Sequence, residues 1–198
     1  MTDTPTSVPA EALSYTYKPS LVGAPWTFRL SDAGLVYEAG RGSGLVPYRH
    51  IRRVRLSFKP VSMQTQRFMT EIWADGAPKF SIVSSSWKSL LEQERLDVPY
   101  AAFIAELHRR LAHVGSDAQF EQGTHPLLYW PGVVIFTSVS LGLSWLVVRA
   151  LQTGSLGGAA FIGLFLAVFF WHGINFLRRN RPGRYRADAL PPDLTPRG

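Results

Sequence analysis

Hydrophobic positions follow two different patterns along the chain, and the change between them divides the molecule. In residues 13–115, short runs of aromatic and β-branched residues alternate with polar positions and are separated by Gly and Asp turns. From residue 127 the apolar pattern becomes continuous, with 22 uncharged residues in 127–148 and a second apolar run in 157–177. The first pattern predicts an antiparallel sheet or barrel, and the second predicts two membrane-spanning helices.

Alternation is clearest in the segment LVPYRHIRRVRLSF, residues 45–58. Val54, Leu56 and Phe58 fall on one side of an extended chain, whereas the residues between them are polar. This arrangement predicts a half-buried strand. A second strand is predicted after the next turn, in QRFMTEIWAD.

An amphipathic helix is predicted to follow the strands, in residues 97–114. Asp97 stands where an N-cap is expected, Pro99 suits the first turn, and Gly115 ends the pattern. The apolar positions at three- or four-residue spacing form one stripe, namely Tyr100, Phe103, Ile104, Leu107 and Leu111. Glu106 and Arg110 are spaced for an exposed ion pair on that helix.

The segment SSSWKSLLEQERLD, residues 84–97, connects the strands to this helix. It is too polar for a core strand, and we expect a strand end followed by a short helix over SLLEQER. Trp87 and the Leu90-Leu91 pair give this segment two interpretations, a binding loop or a lid packed on the end of the barrel.

Short strands followed by one amphipathic helix, over residues 13–115, resemble the pleckstrin-homology-like fold. That resemblance implies two sheets packed at an angle and a helix that closes one open end. The segment at 45–58 is similar to a strand of bacterial membrane-attached domains of this type, with Ile51, Val54 and Leu56 facing the core. With the apolar runs and the basic tail, the chain resembles uncharacterised proteobacterial inner-membrane proteins that carry such a domain. The expected fold class is α+β, an antiparallel split barrel with a C-terminal helix followed by a two-helix transmembrane hairpin.

Five segments are expected along the chain. Residues 1–12 form a flexible tail without the features of a signal peptide, and residues 13–115 form the folded domain. Residues 116–125 form a polar linker to the transmembrane hairpin at 126–177. Residues 178–198 form a basic tail, which its prolines keep extended.

Charge predicts how the hairpin is oriented. Five arginines follow the second span and act as a topology anchor, namely Arg178, Arg179, Arg181, Arg184 and Arg186. The turn between the spans offers only Arg149. Because Lys and Arg near span ends stay in the cytoplasm, both termini are predicted to be cytoplasmic. The resemblance implies that the membrane is a bacterial inner membrane. The same arginines can also attract anionic headgroups.

Small residues recur at four-residue spacing in both apolar runs. They are Ser140 and Ser144 in the first run, and Ala159, Gly163 and Ala167 in the second. Such spacing lets helix backbones approach closely in lipid. The two interpretations are packing of the hairpin against itself and a homo-oligomer formed through the same faces.

A basic patch is predicted in the folded domain, formed by Arg49, Arg52, Arg53 and Arg55. It is a candidate contact for an anionic headgroup or for a protein or peptide partner. The alternative is a solvated strand face on which arginine protects a sheet edge.

Composition removes several classes of function. The net charge of +7 is concentrated in the tail, and the domain is almost balanced, so a nucleic-acid partner is not expected. There is no Cys, and no set of histidines has the spacing of a metal site, so no metal, cofactor or catalytic residues are predicted. We therefore expect a membrane protein that is not an enzyme and that binds or scaffolds at the inner leaflet. The alternative is an accessory subunit of a transport or envelope complex that acts through its hairpin.

Overall fold

The structure is a computed structural model, and it describes residues 13–40, 42–59, 67–89 and 92–196. The chain divides into two compact units. The domain unit contains residues 1–121 and 185–198, and the hairpin unit contains residues 122–184. The predicted tail at 1–12 lies outside the described residues.

The first sheet of the domain unit is an antiparallel meander in the order β1-β2-β3-β4. Its strands are β1 (Ser14–Tyr17), β2 (Trp26–Leu30), β3 (Leu35–Ala39) and β4 (Gly42–Val46). Gly34 makes the turn between β2 and β3 with a φ of 155°, and a Cβ there would lie 2.2 Å from the carbonyl oxygen of Val46. Only glycine fits this turn, because both the φ value and the close approach exclude a side chain.

The second sheet continues the antiparallel pattern and, within the domain unit, runs in the order β10-β5-β6-β7. Its strands are β5 (Ile51–Phe58), β6 (Phe68–Ala74), β7 (Phe80–Val83) and β10 (Gln119–Gln122). Val54, Leu56 and Phe58 are buried, which confirms the predicted alternation. Ile51 is buried too, although it is three residues from Val54, because the register shifts between Ile51 and Arg53. Such a bulge turns an odd spacing into a shared face.

Two tyrosines tie the sheets together. The hydroxyl of Tyr15 donates to the carbonyl oxygen of Val83, and the hydroxyl of Tyr17 donates to that of Ser81. Both acceptors lie on β7, which is the last strand in the order of the second sheet. Burial raises the pKa of both hydroxyls, so they remain neutral donors.

The segment between β7 and the helix is a small hairpin. Strand β8 (Ser85–Trp87) pairs antiparallel with β9 (Gln93–Arg95), so the helix predicted over SLLEQER is wrong for the described residues. Leu90 and Leu91 lie outside those residues. Propensity favoured a helix, but pairing with β8 supplies backbone hydrogen bonds that a short isolated helix could not match.

Helix α1 (Asp97–His113) has the predicted apolar stripe, and every member of that stripe is buried. The Glu106–Arg110 pair forms, with Arg110 Nε 2.7 Å from Glu106 Oε1, but the side chains of Arg110 and Glu106 are only 19% and 23% exposed, so the pair is not the exposed one that was predicted. The predicted N-cap is wrong, because Leu96 occupies the cap position and no side chain caps the helix. Asp97 instead accepts from Arg95, with Nε to Oδ2 at 2.9 Å.

The C-terminal tail and the predicted linker both differ from expectation, because they contribute to the domain unit. Residues 119–122 form β10, and Ala118 is buried. After the hairpin, Tyr185 and Leu190 pack against the domain core, and Leu194 is only 2% exposed. The domain is therefore assembled from segments on both sides of the hairpin.

The hairpin unit contains α2 (Pro126–Gln152), α3 (Leu156–Arg179) and the short strand β11 (Gly183–Arg184). The two helices confirm the apolar segments predicted at 127–148 and 157–177, and the turn between them is shorter than predicted. At about 1.5 Å per residue, each is long enough to cross a hydrocarbon layer of about 30 Å. Their length and composition are those of membrane-spanning helices.

The α+β fold class is confirmed, with sheets in the N-terminal part and two long apolar helices near the C-terminus. The described strands form separate sheets and do not close into a barrel. The pleckstrin-homology-like resemblance therefore stays a prediction.

Candidate functional site

The four arginines of the predicted basic patch do not form one free surface. Arg49 is exposed in a 3-10 turn, Tyr48–His50, that precedes β5. Arg52 pairs with Asp75, its Nε lying 2.6 Å from Asp75 Oδ2. Arg49 and Arg52 therefore lie in different environments within the domain itself.

Arg55 is held by a carboxylate from β10. Its Nε lies 2.9 Å from Glu121 Oε2, and the two side chains are only 12% and 20% exposed. Arg53 approaches the same carboxylate, with Nε 3.6 Å from Glu121 Oε1, but 42% of its side chain stays exposed. Among the predicted contacts on β5, Arg53 is therefore better placed than Arg55 to meet a partner.

Trp73, on β6, organises the charges on the outer face of the second sheet. The cations of Arg53, Arg55 and Lys79 lie 5.5, 5.3 and 4.8 Å from the centroid of its ring. These distances are typical of cation–π contacts. Trp73 and these three cations are called the Trp73 face below.

Carboxylates balance the cations on and beside the Trp73 face. Lys79 Nζ lies 2.5 Å from Glu71 Oε1, and Glu121 contacts both Arg53 and Arg55. A strongly anionic ligand would have to displace or face these carboxylates, which costs Coulomb energy. The Trp73 face is therefore a mixed surface and not a basic patch.

A shallow pocket opens beside Trp73. It is lined by Arg52, Arg53, Trp73, Asp117 and Gln119. Guanidinium, indole, carboxylate and amide groups together can bind a peptide through charge, stacking and hydrogen bonds. This combination suits a polar protein segment better than a phosphorylated headgroup.

His108, on α1, is a buried polar residue. It is 1% exposed, and its Nδ1–H donates to the Ile104 carbonyl oxygen at 2.7 Å. Nε2 then accepts from the hydroxyl of Tyr185, at 2.8 Å. Burial lowers the pKa of His108 to about 4, so the ring is neutral at pH 7.

His108 thus positions the C-terminal tail on the domain. Its ring also lies 5.4 Å from that of Phe120, which places β10 and the tail against the same helix face. The sequence carried a signal for this role, because His108 is four residues after Ile104 and three before Leu111, on the apolar stripe. No group of three His, Asp or Glu suited to a metal ion occurs in the described ranges.

The small residues proposed for helix packing divide into two groups. Ser140 and Ala159 are buried at 4% and 6% exposure. Gly163 has open space where a Cβ would stand, and Ala167 is exposed. Ser144 donates back to the carbonyl oxygen of Ser140 in its own helix.

The two helices approach closely at Gly173, which lies outside the predicted four-residue repeat. A Cβ on Gly173 would lie 2.1 Å from the ring of Phe136 on the other helix. That ring stacks on Phe169 at 5.0 Å and meets Phe170 edge-on at 5.5 Å. Gly173 does not belong to the four-residue repeat of small residues, and its partners are aromatic. The spacing of small residues therefore could not predict this contact.

The predicted topology anchors lie in different environments. Arg178 and Arg179 are in the last turn of α3, and Arg181 and Arg184 follow it in the hairpin unit. Arg186 belongs to the domain unit and pairs with Asp188, with Nε 3.1 Å from Oδ1. Four of the five arginines thus stand together at one end of the hairpin unit.

Comparison of the chain with protein-family models, with curated proteins and with solved structures gives no match. The function is therefore argued from the geometry of the chain itself.

Proposed function

We propose that this chain is a membrane-anchored, non-catalytic binding module. In this proposal, α2 and α3 cross a bacterial inner membrane as a hairpin, and the domain unit lies on its cytoplasmic side. The Trp73 face holds a protein or peptide partner close to the bilayer.

The observation that carries the proposal is the return of the chain to its own domain. Residues 1–121 and 185–198 belong to one unit, and Leu194, after the hairpin, is as buried as the core before it. A single folded unit lies on one side of a bilayer. If the hairpin crosses the membrane, both of its ends must therefore be on the same side.

The surface of the hairpin supports the crossing. In the most apolar stretch of α2 only 6% of the residues are buried, and in that of α3 none are. Helices that are apolar and exposed need a nonpolar environment, because exposed apolar area on this scale is unfavourable in water.

Charge supports the cytoplasmic orientation. Arg178, Arg179, Arg181 and Arg184 cluster at one end of the hairpin unit, whereas Arg149 is the only basic residue near the other end. The positive-inside tendency then places the arginine end, together with the domain unit, in the cytoplasm.

The order of elements supports a binding domain. Strands β1 to β9 are followed by the amphipathic helix α1, which is the order that motivated the pleckstrin-homology-like resemblance, and β10 joins the second sheet after that helix. The Trp73 face favours a protein or peptide over an anionic headgroup as partner on this domain, because carboxylates stand among its cations.

Site-directed photo-crosslinking in intact membranes tests the partner surface. A photoreactive residue replaces Gln119, which lines the pocket, or Ser43, which is exposed on the other sheet. We expect a discrete protein adduct from position 119 only, and we expect Arg53→Glu to reduce it at least fivefold. Equal adducts from both positions, or an adduct indifferent to Arg53→Glu, would contradict the proposed binding surface.

One observation favours a second function, an accessory subunit that acts through its hairpin. Gly142 and Gly163 have open space where a Cβ would stand, and Ala167 is exposed, so part of the small-residue surface has no helix packed on it. In lipid, such a surface suits another transmembrane helix. Because the chain has no Cys, Ala167→Cys introduces a unique thiol. Disulfide-linked dimers, or a stoichiometric membrane partner lost in Gly163→Leu, would favour this function.

A further inference from the structure

We infer that the arginine end of the hairpin unit binds the headgroup of an anionic phospholipid. A pocket opens there between the start of α2 and the end of α3. Its lining includes Tyr129 and Trp130 from α2, Leu177 and Arg178 from α3, and Arg181 after α3. These five residues are called the headgroup pocket.

Backbone packing holds the two sides of the headgroup pocket together. The N–H of Thr124 donates to the carbonyl oxygen of Asn180 at 2.9 Å. Gly123 has a φ of 78°, and a Cβ there would lie 2.3 Å from the carbonyl oxygen of Arg181. Glycine therefore permits the entering and leaving segments to touch, and this contact fixes Arg181 beside the first turns of α2.

The charge of the hairpin unit is unbalanced. It contains five of the 21 Lys and Arg residues of the chain and none of the 14 Asp and Glu residues. Arg178 and Arg181 are both exposed, so their guanidinium groups can reach a ligand. Guanidinium binds phosphate through paired, charge-assisted hydrogen bonds, which makes a phosphate the matching anion.

The apolar lining distinguishes a lipid from a free anion. Leu177 and Ile174 line the same pocket as the two arginines, and Trp130 is 63% exposed. Tyr and Trp favour the level of the headgroups, where one end of the ring is apolar and the other wet. A pocket with guanidiniums and apolar walls suits a phosphate that carries acyl chains.

This inference rests on the proposed crossing of a membrane by the hairpin, because only then do Arg178 and Arg181 stand at headgroup level. It adds a selective site to the general attraction between basic residues and anionic lipid. A selective site must depend on which arginines are removed, whereas diffuse attraction depends only on how many are removed.

Native mass spectrometry of the full-length protein in a neutral detergent tests the headgroup pocket. Dioleoylphosphatidylglycerol and dioleoylphosphatidylcholine are titrated separately onto the delipidated protein. At about fivefold per arginine, we expect the first phosphatidylglycerol to bind about 25-fold more tightly than phosphatidylcholine. Arg178→Gln with Arg181→Gln should bring this ratio close to one.

The matched control removes the same charge from neighbouring positions. Arg184→Gln with Arg186→Gln should keep the lipid preference within about twofold of the unmodified chain, because neither residue lines the pocket. An equal loss in both double variants would overturn the site in favour of diffuse attraction. If the first double variant does not fold, Arg181→Gln alone should lower the preference about fivefold.

Two further measurements separate the remaining outcomes. Inorganic phosphate should not displace bound phosphatidylglycerol at equal concentration, and displacement would overturn the lipid as the ligand. Carbonate extraction of membranes that contain the unmodified chain tests the crossing itself. Release of the unmodified chain would contradict the proposed function, whereas retention without a lipid preference would contradict only the headgroup pocket.

Discussion

The domain unit and the hairpin unit differ in the partners that they offer to polar side chains. The domain unit pairs such side chains with residues far away in the sequence, whereas the hairpin unit contains arginines but no carboxylates. In the domain, Arg55 lies against Glu121, a residue 66 positions away, and His108 is paired with Tyr185, 77 positions away. The hairpin unit contains five arginines and no carboxylate of its own. Arginines from two regions that look alike in the sequence therefore have different roles.

This difference suggests how to interpret basic clusters in small membrane proteins. A cluster on a folded sheet can be neutralised by carboxylates that arrive from distant segments, as Glu121 does for Arg53 and Arg55. The cluster at the end of the apolar hairpin has no carboxylate within its own unit. We expect loss of internal partners to change the stability of the domain, and loss of hairpin arginines to change lipid binding.

The largest expected effect is a pH dependence of the stability of the domain, which comes from His108. The folded-state pKa of His108 is about 4, below its ordinary 6.5, so the unfolded chain takes up the proton first as the pH falls. Stability should fall by about 2.5 kcal/mol between pH 7 and pH 4.5, at 1.36 kcal/mol per pKa unit. Denaturant unfolding of the full chain in detergent measures this slope.

His108→Gln should remove most of that slope, whereas His113→Gln, at the exposed end of the same helix, should keep it. The Glu106 pKa is lowered to about 2 mainly by its hydrogen bond from Arg109, so its contribution is lost only at more acidic pH. The same slope in His108→Gln and in the unmodified chain would show that another group titrates.

The next effect concerns the ion pair on the outer sheet face. Glu121→Gln leaves Arg55, only 12% exposed, without a counter-charge. We expect about 2 kcal/mol of destabilisation, less than the 3–5 kcal/mol for breaking a fully buried pair. Arg181→Gln is the matched control, because its unit has no carboxylate, and it should leave the thermal midpoint in neutral detergent unchanged. Equal shifts in both variants would remove the contrast between the two units.

The smallest effect concerns packing in the hairpin. Gly173→Ala places a Cβ 2.1 Å from the ring of Phe136, so the helices must separate or the ring must move. Overpacking of this kind costs about 1 kcal/mol or more. Gly163→Ala should be silent, because a Cβ there meets open space. Thermal unfolding followed by helical circular dichroism measures both variants, and equal midpoints would contradict the packing described here.

Local pattern was sufficient for much of the fold. The alternation in β5, the apolar stripe of α1 and the two apolar helices could all be predicted, because each depends on the periodicity of a single element. Ile51 and Val54 were both predicted to face the core, which requires a bulge between them. The position of that bulge, between Ile51 and Arg53, could not be predicted from the sequence.

Features that depend on distant partners could not be predicted. Strand β9 exists because β8 pairs with it, and Asp97 binds Arg95 instead of capping α1. Residues 178–198 were predicted to be a basic, extended tail, yet Leu194 is part of the domain core. Long-range pairing decided each of these features, and a single sequence does not reveal it.

In the candidate sites too, single residues could be predicted from the sequence, whereas their distant partners could not. The arginines of β5 were identified, but Glu121 and Trp73, which determine their chemistry, come from other strands. The arginines after α3 were identified as well. The pocket that they line, however, depends on the contact between Gly123 and Arg181. These residues precede and follow the two helices, so they are far apart in the sequence.

The central claim is that the chain leaves its domain, crosses a membrane twice and returns to the same domain. Because the sequence contains no Cys, Ser20→Cys, Ser155→Cys and Asp193→Cys each provide a unique thiol at an exposed position. A membrane-impermeant maleimide applied to intact spheroplasts should label position 155 and spare positions 20 and 193 until the membrane is opened. Labelling of 20 and 193 from opposite sides, or of 155 from the same side as both, would contradict the claim.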